Sequence, residues 1–171
     1  MLLCGFKNFD EMKDYLGLQS NESFDYDVAL IDIDCSRVFN DFGMETAEKD
    51  YFVTSFDLFS LKKGLEILSG IDYEIYMKKI LFSKTMSKEE DEYLNYLSRE
   101  YPVSWEEDKI YFPYELGDQS VIIEGQRSAK IKFRGLSGQY KDSLLAIVEE
   151  IVGNVSYGEL KRVMRNIEKG E

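Results

Sequence analysis

Tyr26–Ile33 reads YDVALIDI, and Val28, Ala29, Leu30 and Ile31 within it form an unbroken apolar run that ends in Asp32 and Asp34. A strand with one wet face alternates apolar and polar residues, whereas a run apolar at every position asks for cover on both sides. Helix-flanked parallel sheets supply that cover, because each crossover helix lies across a face. YDVALIDI is thus the strongest strand signal in the chain, and it predicts a central strand of an α/β fold.

The flanking segments extend this reading in both directions. Met1–Phe6 is a short apolar strand candidate. Asn8-Phe9-Asp10-Glu11 then predicts a cap and a helix carrying Phe9, Met12 and Leu16. Cys35–Lys49 is polar and reads as a long loop. Tyr51–Thr54 is a second strand, after which Ser55 or Asp57 caps a helix with Leu58, Leu61, Leu65 and Leu68 at spacings of three and four, stopped by Gly70. Tyr73–Ser83 is a third strand, although YMKKI within it also suits a helix end. Ser87 opens a helix with acids in its first turn, as the helix dipole favours, and with Tyr93, Leu94 and Leu97 as its apolar stripe. Lys109–Phe112 is a fourth strand ending at Pro113. Val121–Glu124 and Lys130–Phe133 suit either a hairpin or a loop. Tyr140–Val152 is an amphipathic helix closed by Gly153-Asn154, and residues 156–168 form a terminal surface helix.

Strand alternating with helix predicts an α/β layer fold with a mainly parallel sheet. Residues 1–152 would form its one domain and residues 153–171 a helical tail. The loops after Ile33, Thr54, Phe82 and Phe112 would share one sheet edge, where open α/β sheets bind ligands.

The chain has 171 residues, 21 Lys plus Arg against 33 Asp plus Glu, and a net charge of −12. That balance disfavours broad phosphate-backbone binding. The charge is polarised: residues 1–124 hold 12 basic and 27 acidic side chains, residues 125–171 hold 9 and 6. Arg127, Lys130, Lys132 and Arg134 make the basic segment. Lys130, Lys132 and Arg134 would share one face of an extended strand, either as a soluble sheet edge or as a contact for an acidic partner or nucleic acid. Histidine is absent, which excludes His-dependent triads and His metal sites. The two cysteines, Cys4 and Cys35, are too few for a disulfide scaffold, so a reducing cytoplasm is the expected compartment. No apolar stretch reaches the 18 residues of a membrane span.

The order of these pieces resembles the later two-thirds of the MinD/ParA family of deviant-Walker P-loop ATPases, over roughly residues 24–152. YDVALIDID resembles the family's acidic strand, whose Asp orients the magnesium-water shell of the nucleotide. The match falls on Asp32, with Asp34 two places on. YFVTSFDLFSLKKGLEIL is similar to the next strand and helix, with Thr54 and Ser55 at the strand end. KKILFSK matches a strand that ends in a base-contacting Asn, here Ser83 followed by Lys84. KIYFPYELGD resembles the strand whose Pro and acidic turn lie against the purine, here Pro113 and Tyr114.

One part of that pattern is missing. The family's chemistry needs a Gly-rich loop whose N–H groups surround the phosphates, with a Lys and a hydroxyl for Mg²⁺. Met1–Phe6 holds Gly5 alone. GLSGQYKDS has Gly135 and Lys141 at the Walker spacing, but Tyr140 stands for the second Gly and Asp142 for the hydroxyl, so this segment reads as a plain loop and helix start capped near Ser137 or Gly138. The resemblance then implies a P-loop NTPase-like partial fold without its phosphate grip. It implies a pseudo-ATPase that binds no cofactor alone and acts by protein contact in segregation, positioning or assembly of a cytoplasmic machine, possessing a homodimer as a corollary. Two rivals stand beside it. The chain would be the C-terminal part of an active ATPase, with ATP and Mg²⁺ held by a P-loop upstream or on another chain, or it would be a receiver-like module with Asp32 as acceptor. Asp32 is the one metal candidate, against a plain solvated strand end. Tyr51, Phe52, Phe56 and Phe59 are the aromatic interaction patch to test.

Overall fold

Three strands lie side by side in chain order, β1 (Asp50–Thr54), β2 (Ile75–Ser83) and β3 (Val103–Pro113), and both pairings are parallel. The structure, a computed structural model, describes residues 8–19, 25, 27–33, 47–55, 57–83, 88–113, 115–130 and 132–169. Among them are six α-helices: α1 (Phe9–Leu16), α2 (Leu58–Leu68), α3 (Lys88–Leu97), α4 (Leu116–Ser128), α5 (Gly138–Val152) and α6 (Tyr157–Lys169). The α/β class and the parallel sheet are as the sequence predicts.

Local chemistry sets the helix starts. Asn8 caps α1 by accepting the Glu11 N–H at 2.9 Å, and Gly17 closes it in the left-handed region at φ 70°. Asp57 caps α2, its Oδ1 accepting the Phe59 and Ser60 N–H groups at 3.1 and 3.0 Å. These bonds, with that of the Ser60 hydroxyl foremost, hold the Asp57 carboxyl below the usual aspartate range. Ser137 caps α5 through the Tyr140 N–H.

Alternation along the strands divides the core into two layers. Phe52, Ile75, Met77 and Leu81 pack against Leu61, Leu65 and Leu68 of α2 and Leu94 of α3. On the opposite face Ile80, Ile110 and Phe112 pack against Val121 and Ile122 of α4 and Tyr140, Leu144 and Ile147 of α5. The helices α2 and α3 lie on one face because both are crossovers of the same hand between strands added in one direction. The last helix, α6, packs on α5 through buried Leu160, with Lys141–Glu168 at 2.7 Å and the Tyr157 hydroxyl donating to Asp142 at 2.7 Å.

Three expectations need correction. Val28–Ile33 belongs to no strand among the described residues: Val28 is 46% exposed and Leu30 80%, while Ile33 packs against the α2–α3 layer. An unbroken apolar run states a demand for cover but does not name a pairing partner. Val121–Glu124 is neither a hairpin strand nor a loop but part of α4, and the described residues of Lys130–Phe133 lie in no strand. The β-branched run Val121–Ile123 reads locally as strand, yet Val121, Ile122 and Gly125 stand at helical spacing on the face toward the sheet. Gly125 is needed there, because a Cβ would lie 2.8 Å from the Lys130 carbonyl oxygen. Lys130, Lys132 and Arg134 therefore form no sheet edge; Lys132 turns back to Glu124 at 2.6 Å. Strand β3 begins at Val103, ahead of the expected Lys109. The acids that hide its first half sit in a bulge, with Glu106–Asp108 standing opposite Lys78 alone. Met1–Phe6, Cys4 and Cys35 lie outside the described residues.

Close packing between α2 and β1 gives a prediction of sign. A Cβ built on Gly64 meets the Phe52 ring at 2.8 and 3.0 Å, whereas one on Gly138 meets nothing within 4 Å. Gly64→Ala is expected to destabilise by about 1–3 kcal/mol despite the better helix propensity of Ala. Gly138→Ala is expected to be neutral or to stabilise by about 0.5 kcal/mol. Urea midpoints of the two variants against the parent check both signs.

Candidate functional site

The central strand β2 carries two adjacent lysines, and alternation sends them to opposite faces. Both are buried: the Lys78 side chain is 8% exposed and that of Lys79 is 4%. A charge is kept in such a place by a partner. Lys79 Nζ lies 2.6 Å from Asp91 Oδ1 of α3, donates to Asn95 Oδ1, and stands 5.2 Å from the Trp105 ring centroid. Lys109 of β3 reaches the other Asp91 oxygen. Trp105 in turn donates to the Ser98 hydroxyl at 2.8 Å and packs edge-on to Phe52, centroids 5.5 Å apart. Burial by itself would raise the Asp91 pKa, but the hydrogen bonds and charges of Lys109 and Lys79 outweigh it and hold the carboxyl below its ordinary value.

On the opposite face Lys78 pairs with Glu150 of α5 and lies 3.7 Å from Glu106 in the bulge, and Lys49 meets the same Glu106 at 3.2 Å. The Tyr51 hydroxyl donates to the second Glu150 oxygen at 2.9 Å. Burial opposes the charged Lys78, yet Glu150 and Glu106 raise its pKa. Burial, then Glu150, pushes that of Tyr51 upward as well. Both lysines are thus spent on joining helices to the sheet.

At the C-terminal sheet edge Ser83 and Pro113 stand in register as the last residues of β2 and β3. Beside them is an apolar slot of about 260 Å³ between the sheet and α4, walled by Phe82, Pro113, Ile122 and Ile123, with Gln119 and Gln126 at its margin. Phe82 and Phe112 stack at 4.8 Å, and Phe112 meets Tyr140 edge-on at the same separation. Asp118 at the slot's inner end is 2% exposed and accepts the Ser137 N–H at 2.6 Å and its hydroxyl at 2.8 Å. That bond pair ties the start of α4 to the cap of α5 and gives each carboxylate oxygen one donor. Burial, and then the charge of Asp118, raises the Tyr140 pKa. The opposite edge holds a hollow of about 340 Å³ lined by Lys49, Asp50, Glu74 and Glu106 among others; burial raises the Asp50 pKa there.

The structure brings Ser83 and Pro113 together, and the slot opens beside Pro113. Asp34, Lys84, Tyr114 and Phe56 lie outside the described residues. Asp32 is exposed, and among the described residues no group of three or more Asp, Glu, Cys or His side chains is placed to hold a metal ion. The aromatic patch does not form as expected: Phe52 is 7% exposed and belongs to the core, Tyr51 is bound to Glu150, and Phe59 alone of the described members stands out, 78% exposed. Arg127, Lys130 and Arg134 are exposed on α4 and its exit loop. Sequence reasoning misses Lys78, Lys79, Asp91, Glu106, Glu150 and Asp118. The signal for the first two is the KK pair itself inside a strand pattern, which only a buried counter-charge accommodates. None of the described helices is long and apolar enough to cross a membrane. Compared with protein-family models, with curated proteins and with solved structures, the chain matches none.

Proposed function

We propose that this chain is a non-catalytic, ParA/MinD-like α/β domain that works through protein contacts, as a scaffold or regulator in the positioning or assembly of a larger cytoplasmic machine. One observation carries the reading: its buried charged side chains are engaged inside the fold. Among the described residues Lys78, Lys79 and Asp91 are ion-paired, and Asp118 accepts two hydrogen bonds from Ser137. General acid–base or phosphate chemistry needs such groups aimed at a ligand. The surface also exposes large apolar side chains, with Leu30, Val53, Phe59 and Leu116 all more than half exposed. Titration calorimetry of the chain with ATP and Mg²⁺ tests it. No binding heat is expected at nucleotide concentrations up to about 1 mM, and micromolar affinity refutes the reading.

The slot beside Pro113 favours a second reading, in which a nucleotide is still met at this edge but its phosphates are held by an upstream or separate chain. Under that reading adenosine perturbs the Phe82 and Tyr140 ring resonances at millimolar concentration, and ATP binds no more tightly than adenosine.

A further inference from the structure

We infer that a second copy of this chain docks its exposed run Val28–Asp32 on the apolar slot and outer ridge of α4. The inference rests on the protein-contact reading and names the partner. Among the described residues two large apolar surfaces stay exposed, and they complement each other. The first is the slot, whose wall Ile123 is 47% exposed and continues along one helical stripe to Leu116, 83% exposed. One turn beyond Ile123 on the same helix is Arg127, and the exit loop adds exposed Lys130 and Arg134. The second is the run itself, with Leu30 80% and Val28 46% exposed between the exposed acids Asp25, Asp27 and Asp32.

Charge selects the occupant. A copy with net charge −12 repels another copy in most orientations. The arrangement that brings Arg127, Lys130 and Arg134, at the end of α4 and in its exit loop, against the acidic first part of a neighbour turns repulsion into attraction. The required pattern, acids on both sides of an apolar anchor, is present in this chain's own Asp27–Asp32. The slot is large enough to admit a branched aliphatic side chain, and Gln119 and Gln126 at its margin offer amide donors and acceptors to an extended backbone.

The test is sedimentation velocity of the full chain across concentration at about 50 mM and about 500 mM salt. Self-association is expected at low salt and weakening at high salt. Leu30→Asp and Leu116→Asp, both at strongly exposed positions that the core does not use, are each expected to weaken it tenfold or more, and Ile123→Asp likewise. The decisive arm mixes Leu30→Asp with Ile123→Asp, because each supplies the half that the other lacks, and the mixture should associate where neither does alone. A parent chain that stays monomeric at both salts overturns the inference. So does undiminished association of Leu30→Asp, or a mixture that stays monomeric while circular dichroism shows both variants folded. A monomeric chain that also gives no heat with ATP leaves the protein-contact reading in place and removes only this partner; micromolar ATP binding removes that reading whatever the sedimentation result.

Discussion

Asp91→Ala is expected to lower the unfolding free energy by about 3–5 kcal/mol, because it strands a buried lysine without its counter-charge. Lys79, 4% exposed, keeps Asn95 and the face of Trp105, neither of which carries a neutralising charge. Lys109 is 26% exposed and can turn to water, so most of the loss falls on Lys79. For a chain of this length the change corresponds to a midpoint lower by roughly 10 °C. The companion is Lys79→Met with Asp91→Leu, which removes both charges and leaves an apolar pair of similar volume between β2 and α3. It is expected to recover most of the loss, since a buried ion pair is often no better than well-packed apolar residues. The parent's acid limb follows from the same carboxyl. Its folded pKa is depressed, so its contribution is fully present above the unfolded aspartate value of about 3.9 and is lost as pH falls through the lower folded value. Thermal melts between about pH 2.5 and 7 check this: the limb should flatten in the double variant, and an unchanged limb refutes the assignment.

Legibility in the sequence tracks how local each cause is. Asn8, Asp57 and Ser137 cap their helices through bonds to residues two or three places on, and each is visible as a polar residue before an apolar stripe. Thr54 and Pro113 end their strands, as the neighbouring polar turn and the missing N–H imply. The Lys78–Lys79 pair is opaque for the opposite reason: what makes it tolerable in a central strand comes from Asp91, twelve residues on, and Glu150, 72 residues on. Val121–Glu124 fails differently. Its local propensity favours a strand, but helical packing of Val121 and Ile122 against the layer of Phe82 and Phe112 overrides propensity. The C-terminal sheet edge was foreseeable from alternation alone, and Pro113 and Ser83 meet there. The slot's other half, on α4, depended on the helix that the sequence hid.

The second clamp makes an alkaline prediction that the first does not. Glu150→Ala leaves Lys78 with Glu106, 3.7 Å away, and the weaker influence of Asp108, and takes from Tyr51 the acceptor of its hydroxyl. Because Glu106 persists and the Glu150 side chain is 24% exposed, the expected loss near neutral pH is below the full cost of a stranded ion, about 2–3 kcal/mol. The pH dependence carries the diagnosis. Lys78 and Tyr51 both have folded pKa values raised above their ordinary ones, so both bind their protons more tightly when folded. Their contribution is fully present below about pH 10 and is lost as pH rises through the folded values. Removing Glu150 removes the main partner that raises Lys78, whose burial alone acts in the opposite direction, so the variant has less alkaline stability to lose: its alkaline limb should be shallower, and its deficit against the parent should shrink as pH rises above about 10. Glu150→Gln still accepts the Tyr51 hydrogen and is expected to restore part of the stability at pH 7 but not the parent's alkaline slope. Guanidinium titrations at pH 7, 9 and 10.5 separate the cases. Equal losses at all three values would reduce Glu150 to a packing contact and leave the charge on Lys78 without a role in holding α5 to the sheet.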